Sequence, residues 1–488
     1  MHGDRKSDSL VVPEKHPNKA AKAAAEGVEE RGLAKGISSG RHRDRTQRRA
    51  PLPQPLRRVH QAARREKKGQ LTALWHHVHD IERLRAAYRA IRPSAAPGVD
   101  GVTWKAYGEN LEDNLQELSS RLRRGAYRAQ PVRRVYIPKS GGQKRPIGVT
   151  TLEDKLVQRA TTDVLNAVYE ADFKGFSYGF RPGRGQHNAL DALWVGLMSR
   201  KVNVVLDADI RGFFDAMNHE WLLRFVKHRI GDSRVLRHLE KWLKAGILED
   251  GKWRPSTQGT PQGGSVSPLL ANVYLHYAFD LWADQWRRRY GHGDIIIVRY
   301  ADDIVVGFEK RRDAERFRSA LGERLGKFGL ELHPDKTRLL EFGRYAADRQ
   351  FRRGLGRPEV FRFLGFVHSC GTTRKGHFTV RRRPDRERMS QTLKRVKVRL
   401  RKLRYRPVPE QGAWLAAVIR GYGQYFGVPG TSAELNNFRK AVSWHWYRAL
   451  RRRSQKTRLT WERMLRLMRR WLPIPHIVHP NPFERLRV

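Results

Sequence analysis

Apolar residues at helical spacing (Leu74, Ile81, Leu84 and Tyr88) predict amphipathic helix soon after residue 71, and Val157, Ala160, Val164, Leu165 and Val168 predict more. Between them, Val132, Val135, Tyr136 and Ile137 give residues 132–137 the character of a strand. The run Val204, Val205 and Leu206 is too short for a helix and reads as a buried strand. Leu270, Val273, Tyr274, Tyr277 and Leu281 share one helical face, and the β-branched runs 295–298 and 304–306 bracket a tight turn. After about Arg381 the strand signal stops. Met389, Leu393, Val396, Leu400 and Leu403 then step by four and three, the seam of a helix packed on other helices. The pattern is therefore α+β, followed by an all-α region.

Length and composition refine that picture. A chain of 488 residues exceeds one average domain, since roughly 150 residues per domain predicts about three. Residues 1–70 carry 18 Lys/Arg, 8 Asp/Glu and few large apolar side chains, so they read as a flexible basic arm whose ordering entropy nothing offsets. Residues 381–488 carry 28 Lys/Arg against 6 Asp/Glu, a net +22 within a whole-chain charge of +49. A surface this basic calls for a polyanion, and nucleic acid is the natural one, because cations that neutralise phosphates release condensed counterions. One cysteine, Cys370, makes no internal disulfide and no Cys pair for zinc. No apolar run reaches the roughly 18 to 20 residues that span a bilayer, and no hydrophobic signal segment follows Met1. No membrane partner and a cytoplasmic location are expected.

Chemistry concentrates at Tyr300-Ala301-Asp302-Asp303, where two adjacent carboxylates sit between buried strands. Such a pair repels itself unless cations neutralise it, which points to metal ligation, with a solvated turn as the plain alternative. A further acid, Asp209, follows the strand at 204–206 and fits a two-metal phosphoryl-transfer site, which needs carboxylates from separate strands. Asp207 and Asp209 could instead cap the segment after them. The glycine-centred hairpin from Pro138 to Pro146 supplies Lys139, Lys144 and Arg145 for phosphate charge, without a Walker sequence. Gln258 to Asn272, rich in Gly, Pro and Ser, leads into the helix of Leu270, so that backbone amides and Gln262 can face a nucleotide or template.

In order along the chain, eight blocks resemble the reverse transcriptases encoded by group II introns. They are Val99-Asp100-Gly101; Tyr136 to Lys139 with Arg145 to Gly148; Phe176 to Pro182; Asp209 to Asp215; Thr260 to Leu270; Tyr300 to Asp303; His333 to Thr337; and Phe363 to Phe366. The likeness runs from about residue 72 to 488. It implies a right-hand polymerase: fingers and palm over 71–368, with an antiparallel palm sheet, then a helical thumb and maturase domain over 369–488. By the same resemblance, Asp209, Asp302 and Asp303 hold two Mg²⁺ ions, and Lys139 and Arg145 grip the incoming deoxynucleoside triphosphate. Phe214 excludes a ribose 2′-OH, Gln262 contacts nucleotide and template, and Lys336 protonates the pyrophosphate leaving group. Phe363, Leu364, Gly365 and Phe366 form the primer grip.

The resemblance further implies that Arg451, Arg452, Arg453, Lys456, Arg463, Arg469 and Arg470 bind group II intron RNA through its phosphates. The aromatics of 421–426 and 444–446 are expected to pack the helical core rather than stack on bases. Many relatives add a nuclease domain with Cys pairs, so DNA cleavage is not expected here. The implied function is RNA-directed DNA synthesis on intron RNA at a DNA target or primer, with assistance to splicing. A splicing-only RNA-binding maturase and a domesticated reverse transcriptase in defence or repair are the alternatives.

Overall fold

The computed structural model describes residues 54–138, 144–454 and 459–486. Strands β1 (Val132–Pro138) and β2 (Lys144–Val149) form the expected antiparallel hairpin. Strand β3 (Val204–Ala208) belongs to a separate, central sheet, while β4 (Ile247–Glu249) and β5 (Lys252–Arg254) extend the first into the order β2-β1-β4-β5. Strands β6 (Ile295–Tyr300), β7 (Asp303–Phe308) and β8 (Arg338–Glu341) complete the central sheet, which is antiparallel throughout and ordered β6-β7-β3-β8. A third antiparallel sheet, β11-β10-β9, is made of β9 (Phe361–Phe363), β10 (Phe366–Thr372) and β11 (Phe378–Pro384). Helices follow, chiefly Arg386–Lys402, Val408–Phe426, Ser432–Arg451 and Trp461–Trp471.

The central strands are apolar on both faces because each face meets a core. Val204, Leu206 and Ala208 of β3, with Ile304, Val306 and Phe308 of β7, join the largest core, against the Leu152–Tyr169 and Ser267–Leu275 helices. Val205 and Val305 point the other way, into a second core shared with the Gln186–Ser199 helix and the third sheet. The period of two along a strand then fixes the site: Asp207, Asp209 and Asp303 share the parity of Val205 and Val305 and so leave the sheet on that second face.

Two expected boundaries move. Residues 54–70 were placed in the flexible arm, yet Gln54–Arg65 is a helix with Leu56, Val59 and Ala63 buried in the main core. Arg229 holds its C-terminal end, donating to the carbonyls of Ala63 at 2.8 Å and of Glu66 and Gly69 at 2.6 Å. The rest of that arm, residues 1–53, lies outside the described residues. The division at 368/369 falls inside β10, so the sheet region runs on to about residue 384.

Candidate active site

The turn bearing Asp302 is the tip of the β6–β7 hairpin, where Tyr300 pairs with Asp303 and Ala301 takes a left-handed φ of 55°. The turn is braced from below. Arg299, fully buried, donates to both oxygens of the equally buried Asp280 at 2.7 and 2.6 Å, to Asn272 Oδ1 and the Ala301 carbonyl at 3.0 Å, and to Ser177 Oγ at 2.7 Å. Asp280 is offered by one π-helical turn, His276–Asp280, inside an otherwise α-helical stretch. Ser177 comes from the segment 176–178, which pairs with Arg299 at the free edge of β6. A Cβ on Gly179 would lie 2.3 Å from the Ala301 nitrogen, so only glycine lets the two segments approach this closely.

Asp209 reaches the same place from β3. The register Asp207↔Val305 and Ala208↔Ile304 brings the next residue, Asp209, opposite Asp303. Its carbonyl accepts from His333 N at 2.8 Å, and its carboxylate accepts from Lys336 Nζ at 2.8 Å. Asp207 is a strand residue paired with Arg338, so it caps nothing. The carboxyls are electrostatically coupled. Asp303 is open to solvent, but protein crowds it from behind, and that desolvation, followed by Asp302, Asp209 and Asp207, pushes its carboxyl up to about 7. Burial and, more weakly, Asp209 raise Asp302, against the pull of its own backbone amide, Arg145 and Arg299. Asp207 is pushed up to about 6, chiefly by burial.

Carboxylates are hard oxygen donors suited to Mg²⁺, and at Asp302 and Asp303 burial and neighbouring acids disfavour a full negative charge without a cation beside it. Among the described residues no three His, Cys, Asp or Glu side chains close into a metal cage.

The remaining predicted residues are held by other parts of the fold. Phe214 follows the buried Phe213 in the short turn Phe213–Ala216 and packs partly against the main core. Its carbonyl accepts from Thr260 N at 2.8 Å, and the Gln262 carbonyl accepts from Gly148 N at 2.7 Å. The glycine-rich loop thus joins the Phe214 turn to β2 of the Arg145 hairpin. Phe363 and Phe366 are buried and paired across a turn in which Leu364 and Gly365 both have left-handed φ, 47° and 79°.

Sequence reasoning missed three contributors: Arg299, Arg388 and Tyr425. Arg388, near the start of the Arg386–Lys402 helix, pulls the Asp303 carboxyl downward and flanks Gly365. Tyr425 donates its hydroxyl to the Leu364 carbonyl at 2.8 Å and packs its ring on Phe366. An arginine three residues into a helix, in a chain with 98 Lys/Arg, carries no local signal.

Of the expected RNA contacts, Arg451 and Arg452 are exposed at the end of the Ser432–Arg451 helix, and Arg463, Arg469 and Arg470 are exposed on Trp461–Trp471. Arg453 donates to the Arg406 carbonyl at 2.6 Å. Lys139 and Lys456 lie outside the described residues. The expectation for the aromatics holds for Trp446 and Tyr422, which are buried, but fails for Trp444, which is 51% exposed. No helix among the described residues is long and apolar enough to cross a membrane.

Residues 137–368 match the family model described as reverse transcriptase (RNA-dependent DNA polymerase). The chain is 36% identical over 276 residues to Protein YkfC of Escherichia coli, covering 50% of this chain and 72% of that protein. It is 31% identical over 292 residues to the group II intron-encoded protein LtrA of Lactococcus lactis, covering 57% of this chain and 48% of the relative. A putative COX1/OXI3 intron 1 protein of Saccharomyces cerevisiae is 24% identical over 309 residues, 53% of this chain and 37% of that protein. The chain thus spans about half the length of the LtrA relative.

Proposed function

The chain belongs to the group II intron-encoded reverse transcriptases and maturases, a family of RNA-directed DNA polymerases, and on that footing we propose that it copies intron RNA into DNA and assists that RNA's splicing. The observation that carries this reading is the register that sets Asp209 opposite Asp303, beside Asp302. In this reading the helices and sheets from residue 54 to about 384 act as fingers and palm, and the helices beyond act as thumb and maturase domain.

Asp209, Asp302 and Asp303 would hold two Mg²⁺ ions, which when bound lower the cost of charge on the attacking and leaving oxygens. The protein's own groups do the rest. Arg145 of β2, together with Lys139, draws the triphosphate of a deoxynucleotide toward the carboxylates. Phe214, backed by the core and fixed through its carbonyl to Thr260, supplies a rigid wall where a 2′-OH would stand. Gln262 sits on the loop joining that wall to the hairpin. Lys336, whose ammonium bonds Asp209, would deliver a proton to departing pyrophosphate. The 363–366 turn holds the primer end, and the exposed arginines of the helical region hold intron RNA by its phosphates.

Primer extension on an RNA template tests the assignment. Asp302→Ala with Asp303→Ala should abolish cDNA synthesis while leaving RNA binding in place. Normal synthesis by that variant would remove the polymerase reading. A wild type that promotes splicing but extends no primer would leave a splicing factor.

A further inference from the structure

The Ser432–Arg451 helix carries two tryptophans two residues apart, and the structure treats them oppositely. Trp446 has no exposed surface, and its indole N–H donates to Gln411 Oε1 at 3.0 Å. Trp444, on the other side of the helix, is 51% exposed. It has aromatic company there. Trp461, in the first turn of the Trp461–Trp471 helix and 39% exposed, lies 5.2 Å away between ring centroids at 31°, and Tyr447 stands edge-on to both indoles. Arg448 lies 5.9 Å over Trp444, and Arg451 lies 5.7 Å over Tyr447.

Large aromatics each carry well over 100 Å² of surface that a fold gains by burying. Two exposed indoles brought together are therefore an interaction patch rather than scattered surface residues. The chemistry around the patch selects its occupant. The patch sits in a region of net +22 with guanidinium groups over its rings, a charge that a polyanion complements. Flat π faces beside exposed cations suit a nucleobase whose own phosphates the arginines meet. A base inside a duplex has both faces taken by its neighbours, so the occupant must be unpaired.

The geometry points to Trp444 and Trp461 as a platform that stacks an unpaired base of single-stranded or looped RNA, with Arg448 and Arg451 on the flanking phosphates. This rests on the reading of the helical region as RNA-binding and adds to it a demand for unpaired structure that phosphate contacts alone do not impose.

Binding of the full chain to two RNAs of equal length, a hairpin with an open loop and a fully paired duplex, tests this across a salt series. Trp444→Ala with Trp461→Ala should weaken hairpin binding about 10- to 100-fold, leave duplex binding unchanged and leave the salt slope unchanged. Trp444→Leu, which keeps an apolar side chain but loses the π face, should weaken hairpin binding in the same direction. Trp444→Phe should keep most of it. Arg448→Gln with Arg451→Gln should weaken both RNAs and flatten the salt slope. Equal loss on hairpin and duplex, no loss on either, or a change in oligomeric state alone would overturn the platform. A wild type that binds neither RNA would overturn the RNA-binding reading beneath it as well.

Discussion

A guanidinium with no exposed surface sits directly behind the turn that carries Asp302. Arg299 is stabilising only while Asp280, Asn272 and Ser177 satisfy it, because a buried charge left alone costs far more than the pair contributes. Arg299→Ala should therefore destabilise the protein by about 3–5 kcal/mol in denaturant unfolding, by stranding the Asp280 carboxylate. Arg299→Met combined with Asp280→Leu should recover most of that loss; a wild-type midpoint for the single variant would show the network to be neutral. Gly179→Ala probes the same brace from the backbone side. Its Cβ must displace the Ala301 amide, and a shift of about 1 Å in the turn bearing Asp302 should slow primer extension on the order of 10- to 100-fold. The carboxylates were legible in the sequence because adjacent acids between β-branched runs are costly without a purpose. Arg299 was not legible, since its partners come from segments up to 122 residues away.

At the scale of elements, the β9–β10 turn is built against local preference. A two-residue turn with both φ values positive favours Asn-Gly, and a leucine at the first position costs roughly 1–2 kcal/mol. Tyr425 offsets part of that cost through its bond to the Leu364 carbonyl. Tyr425→Phe should cost about 1 kcal/mol of stability. It should also shorten the products of primer extension, a change that Leu364→Asn, which relaxes the turn directly, should partly reverse. The strands beyond residue 368 escaped sequence reading for a specific reason. Arg382 faces inward to pair with Asp191, so the alternation of Val380, Arg381, Arg382 and Arg383 shows no apolar period. The Gln54–Arg65 helix escaped because so few large apolar residues among four arginines look like solvated chain. Leu56→Ala there should cost about 2–4 kcal/mol, since the side chain is fully buried, and an arm without structure would show no change.

Across the whole molecule, the segment after the last long helix folds back and fastens the helical region to the central fold. Asp191 of the Gln186–Ser199 helix accepts from Arg382 of β11 at 2.8 Å and from Arg485 near the end of the chain. Beside it, His187 contacts the Tyr425 carbonyl at 2.8 Å and stacks on His479 at 3.7 Å, while Val478 N and His479 N donate to the Gly427 carbonyl. Burial, then His479, lowers His187 to about 4; the bond to the Tyr425 carbonyl and, more weakly, Asp191 oppose this, while Arg485 pulls the same way. A histidine whose folded pKa lies below its ordinary 6.5 binds its proton more readily in the unfolded chain. The stability it contributes is complete above about pH 6.5 and is lost as pH falls toward 4. His187→Gln can keep a hydrogen bond to the Tyr425 carbonyl but cannot titrate, so carboxylates elsewhere, Asp303 included, cancel from the comparison. Between pH 7 and pH 5 the wild type should lose about 2 kcal/mol relative to His187→Gln in denaturant unfolding. At pH 5 the amides of Val478 and His479 should exchange faster in the wild type than in the variant, because the fastening opens with the proton. Parallel stability curves for the two proteins would mean that His187 is not part of what holds the two regions together.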